Sequence, residues 1–312
     1  MKNEIDIICA GEVLIDFIGH ETNASILNTN DYHRYLGGSP TNVAVNATRL
    51  GLKTVLIATC GDDGLGAFIL DSLESNQVDV SHVRKSTTEP TSVIFVSKST
   101  GTPDFIAYRE ADIQILPSQI SDELLAKAKI FHTTCFALSK NPARTTIVES
   151  AVRAKSLGLQ TSIDINFSER IWPDREEAKQ VLKAYLATDP LVKLSEDDCF
   201  RLFAEEQSEA FIFEFFHGLG ATTICLTKGK DGVVLSDKIH GVFRQNATQL
   251  DNIKDTTGAG DAFWTGFLYA RLLQKDFEES ITIAQKLAVL KLQSVGKLPD
   301  GIDFPAYLHS NN

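Results

Sequence analysis

The chain has 312 residues, of which 43% are hydrophobic and 23% charged, which suffices for one large α/β domain or such a domain with a small appendage. The net charge of −11 and the lack of a Lys/Arg cluster disfavour a nucleic-acid or anionic-membrane surface. No run approaches the ~20 apolar residues of a membrane helix, and the N-terminal apolar run is too short for a signal peptide. The cysteines show no metal or redox spacing. We therefore expect a cytoplasmic protein.

Short β-branched runs alternate along the chain with longer segments of helical period. The predicted strands are Ile5–Cys9, Thr54–Thr59, Ile130–Thr133, Gln160–Ile165, Leu191–Leu194 and Thr223–Thr227. The predicted helices are Thr41–Leu50, Leu65–Asn76, Asp122–Ala128, Pro142–Leu157, Asp174–Leu186, Ser208–Leu219, Ala259–Leu273 and Glu278–Gln293. This alternation is typical of an α/β fold in which helices flank a mostly parallel central sheet.

Two regions interrupt this alternation, because residues 12–36 and 90–110 carry strand-like runs without a helix between them. The runs are Val13–Ile18, Ser92–Ser97 and Phe105–Arg109. We predict that the two insertions form a small β lid over a site on the main sheet. Residues 1–11, 37–89 and 111–312 then form the main nucleotide- and substrate-binding domain. An antiparallel edge of the main sheet is the alternative.

The strongest chemical signal is the glycine-rich segment that starts at Asp255 and runs into a predicted helix. Small residues at Gly258, Ala259 and Gly260 allow backbone amides to converge at the helix N-terminus, where they bind an anion. Asp261 then lies in the first helical turn and can accept the proton of an attacking hydroxyl. An anion hole beside a base favours phosphoryl transfer, and a plain helix N-cap with an acidic first turn is the alternative.

A second motif begins with the glycine pair Gly37 and Gly38, which permits close approach of the backbone to a ligand. Asn42 follows and offers both a donor and an acceptor to a sugar hydroxyl. A turn followed by a helix with an apolar face explains Val43 and Ala47, but leaves the glycine pair and the asparagine without a role.

These two motifs resemble the two signatures of the ribokinase-like, or PfkB, carbohydrate kinases, and the resemblance extends over residues 4–300. It implies a ribokinase-like fold and a reaction in which ATP, with Mg²⁺, phosphorylates a small sugar. Asp261 is then the general base, and the backbone amides of Gly258, Ala259 and Gly260 form the anion hole. The implied substrate ligands are Asp16, Gly37, Gly38 and Asn42.

The same resemblance implies a nucleotide site and two cation sites. The implied ATP-binding residues are Asn166, Ser195, Thr227, Lys228, Gly229, Gly232 and Gln285. An ordinary glycine turn between strands is the alternative for residues 227–232. Asp198 is expected to hold Mg²⁺ through water, or otherwise to form a capping box. Asp255 and Thr257 are expected ligands of a monovalent cation such as K⁺.

The acceptor sugar is predicted from the segment that ends the lid. Arg109 brings fixed donors that can hold sugar oxygens or a transferring phosphate, and a surface arginine at a strand end is the alternative. The string Arg-Glu-Ala-Asp at 109–112 resembles the fructokinase branch, so we expect fructose. Related sugar kinases often carry an arginine at the position of Ser168, and its absence weakens a sugar-acid interpretation.

Several alternatives remain open at this point. Residues 137–144 resemble the 5-dehydro-2-deoxygluconokinase branch, and the Tyr108–Arg109 pair also suits a 2-keto-3-deoxygluconate kinase. An alternative of another class is a catalytically silent sugar or nucleotide sensor on the same scaffold. The resemblance also implies a homodimer formed through the lid.

Overall fold

The computed structural model describes residues 4–98, 104–250, 252–294 and 296–310. The remaining residues, which include 99–103 of the predicted lid and short stretches of the predicted main domain, lie outside the described part. Within the described ranges, no helix has the length and apolar character needed to cross a bilayer. All five cysteines are buried free thiols.

The strands of the described chain fall into two sheets. In chain order they are β1 (Ile5–Ala10), β2 (Leu14–Thr22), β3 (Tyr32–Gly37), β4 (Thr54–Gly61), β5 (Val83–Ser86), β6 (Val93–Lys98), β7 (Phe105–Tyr108), β8 (Ala128–Thr134), β9 (Gln160–Asp164), β10 (Leu191–Ser195), β11 (Thr223–Thr227), β12 (Val233–Asp237) and β13 (Gly241–Gln245).

The helices of the described chain cover the larger of these sheets. They are α1 (Ser39–Arg49), α2 (Gly64–Ser75), α3 (Asp122–Leu125), α4 (Ala143–Ser156), α5 (Arg175–Leu186), α6 (Glu196–Phe203), α7 (Glu209–Gly218), α8 (Ala259–Leu272), α9 (Phe277–Leu292) and α10 (Phe304–His309).

The main sheet has nine described strands in the order β13-β12-β11-β10-β9-β8-β1-β4-β5. Its pairings are parallel from β11 to β5, and β12 and β13 add an antiparallel edge. Helices cover both faces, so the central parallel strands are buried along nearly their whole length. Successive residues of β1 show this arrangement, because Ile8 and Ile7 are buried in two different core clusters. The predicted α/β fold is confirmed.

The smaller sheet has four described strands in the order β3-β2-β6-β7. It is separate from the main sheet, so the predicted small β-sheet is confirmed and the alternative of an edge to the main sheet is wrong. The sequence did not predict β3, because His33 and Arg34 interrupt its apolar pattern. We call this sheet the lid.

The parallel strands bring several chain segments to one edge of the main sheet. Carboxyl ends of parallel strands lie side by side, so the residues that follow β1, β8, β9, β10 and β11 are neighbours there. The lid strands connect to the same edge, since β2 starts shortly after β1 ends and β3 leads through Gly38 into α1. The motifs predicted to carry the chemistry therefore lie at this edge.

Candidate active site

The N-terminus of α8 carries the predicted anion hole and base. Gly258 caps the helix in the left-handed conformation, with a φ of 73° that favours glycine. First-turn amides have no carbonyl partner within their own helix, so they are available to an anion. The Ala259 amide also reaches the carbonyl oxygen of Thr256 at 3.2 Å. The structure brings Gly260 and Asp261 into the same first turn.

The carboxylate of Asp261 is held by two side chains of α1. Ser39 Oγ donates to Asp261 Oδ1 at 2.6 Å, and Asn42 Nδ2 donates to Asp261 Oδ2 at 2.8 Å. Ser39 and Asn42 are three residues apart, which places them on one face of the helix. The sequence analysis did not assign a role to Ser39, although its helical spacing from Asn42 is a usable signal.

The surroundings of Asp261 adjust its acidity. Burial raises the pKa of Asp261, because a low-dielectric site disfavours the charged carboxylate. The hydrogen bonds from Ser39 and Asn42 lower the pKa by a smaller amount, and the positive charges of two lysines act in the same direction. A carboxylate with a raised pKa is a stronger proton acceptor than an exposed one.

A second carboxylate, Asp16 of β2, lies close to this base. Burial, followed by repulsion from Asp261, raises the pKa of Asp16 to about 7. Asp16 pairs with Tyr35 of β3, and a Cβ on the neighbouring Gly37 would collide with the Asp16 carboxylate. The structure therefore places the predicted residues Asp16 and Gly37 in contact, near Asp261.

Gly38 connects the lid to α1 in a conformation that requires glycine. Its φ is 104°, and a Cβ there would collide with the carbonyl oxygen of Glu12. The Glu12 side chain accepts from the Ser39 amide at 3.1 Å and from Thr134 Oγ1 at 3.0 Å. Burial raises the pKa of Glu12 to about 8. The sequence analysis missed Glu12, for which the signal is an acidic residue directly after a buried strand.

A buried ion pair lies beneath the anion hole. Lys193 Nζ of β10 is 2.8 Å from Asp164 Oδ2 of β9, and both side chains are buried. The point that a Cβ on Gly260 would occupy is 3.0 Å from Lys193 Nζ. Burial raises the pKa of Asp164 to about 7, although Lys193 opposes this effect. The sequence signal for this pair is a lysine inside an otherwise apolar strand.

The predicted magnesium residue Asp198 forms the capping box that was its alternative. The amide and hydroxyl of Ser195 donate to Asp198 Oδ2 at 2.8 and 2.7 Å, and the Asp198 amide donates to Ser195 Oγ at 3.1 Å. The other oxygen, Oδ1, lies 3.9 Å from Arg201 Nη1. Nearby, Asn166 Oδ1 accepts from the Phe136 amide at 3.1 Å.

The end of β11 carries two predicted nucleotide-binding side chains that also contact the protein. Lys228 Nζ lies 2.9 Å from Glu209 Oε1 and 3.3 Å from Glu196 Oε1. Thr227 Oγ1 donates to the carbonyl oxygen of Leu194 at 3.3 Å. These contacts hold both side chains at the edge where the predicted motifs meet.

The other predicted nucleotide-binding residues lie further along the antiparallel edge. Gly229 and Gly232 belong to the turn between β11 and β12, which agrees with the glycine turn that was their alternative. Gln285 of α9 donates to the carbonyl oxygen of Asn246 at 3.1 Å, so its amide reaches the segment that follows β13.

Arg109 differs from the expectation that it holds substrate. Its guanidinium donates to Asp112 Oδ2 through Nε at 2.8 Å and Nη2 at 2.5 Å. Nη1 donates to Ser139 Oγ and to the carbonyl oxygen of Phe136, and the guanidinium stacks over the Phe136 ring. The residue is only 6% exposed. The donors are therefore used within the protein, and Arg109 fixes the loop after β8.

The predicted cation ligands Asp255 and Thr257 lie in the loop before α8. The Thr257 amide donates to Asp255 Oδ1 at 2.9 Å, while the second oxygen of Asp255 lies 3.3 Å from Lys291 Nζ. Among the described residues, no group of three or more His, Cys, Asp or Glu side chains could hold a metal ion.

An anion site at a helix N-terminus, with a buried base beside it, is the arrangement of an enzyme that transfers phosphoryl groups to hydroxyls. The family model described as pfkB family carbohydrate kinase matches residues 4–300. The chain therefore belongs to this family, as the sequence motifs predict.

Known relatives agree with this assignment. The ATP-dependent 6-phosphofructokinase of Thermoanaerobacterium thermosaccharolyticum is 33% identical over 295 residues, which cover 95% of this chain and 90% of that protein. The solved fructokinase of Halothermothrix orenii is 32% identical, with a TM-score of 0.79, over 91% of this chain and 98% of that chain. An uncharacterized sugar kinase from Pyrococcus horikoshii, solved in complex with ATP, is 28% identical with a TM-score of 0.82, over 93% of each chain.

The protein is thus an ATP-using phosphotransferase whose acceptor is a sugar hydroxyl. The prediction of an enzyme is confirmed, and we set aside the alternative of a silent sensor.

Proposed function

We propose that this kinase phosphorylates a neutral sugar, with fructose as the first candidate. The observation that carries the proposal is the pair of carboxylates, Asp261 and Asp16, which lie close together and to which no arginine among the described residues donates a hydrogen bond. Two carboxylates accept hydrogen bonds from sugar hydroxyls, but repel a second phosphate or a carboxylate on the sugar.

The state of the predicted substrate residue Arg109 supports a neutral sugar. Arg109 is bonded to Asp112, and Arg170 donates to Asp104 and to the carbonyl oxygen of Phe105. A sugar acid or a sugar phosphate needs charge-assisted donors of this kind. The donors of Arg109 are used within its buried pair with Asp112, whereas Arg170 and Asp104 form a half-exposed surface pair that holds the guanidinium only weakly.

We assign the roles at the site as follows. The acceptor sugar binds against Asp16, Gly37, Gly38 and Asn42. Asp261 takes the proton of the attacking hydroxyl, since its carboxylate is held ready by hydrogen bonds from α1. The amides at the N-terminus of α8 stabilise the charge on the transferring phosphoryl group. The residues proposed for ATP are Asn166, Ser195, Thr227, Lys228, Gly229, Gly232 and Gln285.

Magnesium fits the donors beside this nucleotide site. Asp198 Oδ1 lies outside the capping box, and the charge of Asp198 acts on the second buried carboxyl, Asp164. Carboxylate oxygens that act through water suit Mg²⁺, so Asp198 would hold it. When bound, the ion neutralises charge on the ATP phosphates.

A sugar phosphate is the second candidate, because the relative from Thermoanaerobacterium thermosaccharolyticum is named a 6-phosphofructokinase. Fructose 6-phosphate would need cations that the neutral sugar does not. We also propose a homodimer through the lid, because Ile106 and Tyr108 are exposed apolar residues on its edge strand β7. Size-exclusion chromatography with light scattering tests that assembly.

The substrate test is a coupled ADP-release assay with Mg·ATP and a panel of acceptors: fructose, fructose 6-phosphate, ribose, 2-keto-3-deoxygluconate and 5-dehydro-2-deoxygluconate. We expect the highest kcat/KM with fructose. A higher value with fructose 6-phosphate or a sugar acid would contradict the charge argument.

The Asp261→Asn variant tests the assigned base with the same assay. It should lose at least about a hundredfold in kcat while keeping its circular dichroism spectrum and its affinity for the sugar. Asp71→Asn on the exposed side of α2 is the matched control and should keep full activity. An Asp261→Asn enzyme with more than a tenth of the wild-type kcat would show that another group is the base.

A further inference from the structure

Lys291 lies in the last turn of α9 and directs its ammonium into the loop that leads to the anion hole. Its Nζ is 3.3 Å from Asp255 Oδ2, and only 6% of the lysine side chain is exposed. The carbonyl oxygen of Leu292 accepts the amides of Lys254 at 2.8 Å and Asp255 at 3.4 Å. Backbone and side chain together therefore join the end of α9 to this loop.

The lysine side chain also lies next to the anion hole itself. The point that a Cβ on Gly258 would occupy is 3.5 Å from Lys291 Cε and 3.9 Å from Asp261 Oδ2. Lys291 and the base thus approach the first residue of the anion hole together. The positive charge is within reach of any phosphoryl group that binds there.

Asp255 is built to pair with this ammonium. Its two oxygens accept the Thr257 amide at 2.9 Å and the Gly296 amide at 3.3 Å. Burial raises the pKa of Asp255, but these amide hydrogen bonds and the charge of Lys291 outweigh that effect and lower it. A buried ammonium is stable when a carboxylate pairs with it, so the loop is folded around one fixed positive charge.

This arrangement does not fit the monovalent cation that the family resemblance implies for Asp255 and Thr257. A potassium ion on Asp255 would be a near neighbour of the Lys291 ammonium. Two unit charges of the same sign roughly 4 Å apart weaken binding by about a thousandfold at the effective dielectric constant of a protein surface.

We propose that the Lys291 ammonium takes the place of the monovalent cation at the anion hole. As a positioning residue it holds Asp255 and the loop before α8, and it adds positive charge beside the phosphoryl group. This inference rests on the proposed phosphoryl transfer at Asp261. It has the consequence that the enzyme turns over at full rate without K⁺.

The first test compares the salt dependence of the wild-type enzyme and of Lys291→Met. Initial rates are measured with Mg·ATP and the acceptor in KCl, NH₄Cl, NaCl or tetramethylammonium chloride at constant ionic strength. The wild-type rate should vary less than about twofold. Lys291→Met should lose about tenfold to a hundredfold in kcat in tetramethylammonium, with little change in the KM for the sugar, and should recover part of it in KCl or NH₄Cl.

The matched control is Lys286→Met, on the same helix, whose Nζ bonds to the carbonyl oxygen of Ser310. It should show no dependence on the cation. The proposal would be overturned if KCl raised the wild-type rate tenfold or more over the rate in tetramethylammonium chloride. A Lys291→Met enzyme that is fully active in tetramethylammonium chloride would also overturn it. The wild-type measurement stands even if Lys291→Met fails to fold.

A binding readout separates this inference from the choice of acceptor sugar. In thermal unfolding, KCl should stabilise Lys291→Met relative to tetramethylammonium chloride, because the vacated space next to Asp255 can accept the ion. The wild-type protein should show no such difference. If no panel sugar is phosphorylated, the fructose proposal fails but the unfolding result still decides the role of Lys291. Equal stabilisation of wild type and variant by KCl would overturn it.

Discussion

The hydrogen bond from Ser39 to Asp261 predicts how the activity depends on pH. The carboxylate of Asp261 must be ionised to accept a proton, so activity falls as the pH falls through its pKa. Burial raises that pKa, and the Ser39 hydroxyl partly offsets the rise. Asp16, whose pKa is raised to about 7, titrates beside it. The acidic limb of the kcat/KM profile therefore reports the combined titration of Asp16 and Asp261, and it should lie near neutral pH.

The Ser39→Ala variant removes one of the two bonds to the base. A hydrogen bond to a charged group contributes about 1.5–3 kcal/mol, so its loss makes protonation of Asp261 easier by a factor of about ten or more. We expect the acidic limb of the kcat/KM profile to move upward by about one pH unit or more. At pH values well above the limb, the variant should regain most of its rate, because Asn42 still holds the carboxylate.

The assay is the coupled ADP-release measurement between pH 5 and 9 in one buffer mixture. Ser75→Ala is the control, because Ser75 is an exposed helical serine whose hydroxyl bonds only to the carbonyl oxygen of Asp71. Its profile should match the wild type. If Ser39→Ala lowers the rate equally at every pH, the hydroxyl acts by positioning alone, and the electrostatic reasoning is refuted.

Two further predictions concern stability and are read from urea unfolding. Gly38→Ala should lose at least about 2 kcal/mol of unfolding free energy, because the new Cβ collides with the carbonyl oxygen of Glu12 and the backbone conformation is strained for alanine. Gly64→Ala is the control, because a Cβ there meets open space. Equal losses in the two variants would show that the collision is not the cause. Lys193→Met should lose about 3–5 kcal/mol of unfolding free energy, because it leaves the buried Asp164 without its partner, so that the carboxyl must stay charged at a cost or take up a proton. The double variant Lys193→Met/Asp164→Asn should recover part of that loss, and no recovery would show that the charge is not the cause.

The parts of the site that the sequence predicts are those with a local signature. Gly258, Gly260 and Asp261 lie within four residues of one another, so the anion hole and the base can be read from one segment. The apolar runs likewise predict six of the nine described strands of the main sheet, such as β4, every residue of which is buried. A local sequence pattern of this kind predicts its helix or strand whatever the rest of the chain packs against it.

The contacts that the sequence does not predict join distant segments. Lys193 interrupts an apolar strand, which indicates a buried charge, but that strand alone does not show that Asp164 of the neighbouring strand is its partner. Arg109 was expected to hold substrate because it ends a lid strand. Its guanidinium instead finds Asp112 three residues later, together with the loop after β8. Only the packing of the whole chain decides which acceptor a buried guanidinium reaches.

The hydrogen bonds that hold Asp261 join distant parts of the chain, so they also determine when the active site can assemble during protein synthesis. Ser39 and Asn42 are separated from Asp261 by 222 and 219 residues along the chain. A polypeptide still emerging from the ribosome can fold its early strands, but it carries no base until residue 261 has been translated. Nascent chains and fragments that end before α8 therefore lack the base for phosphoryl transfer from ATP, and the activity begins only with a nearly complete molecule.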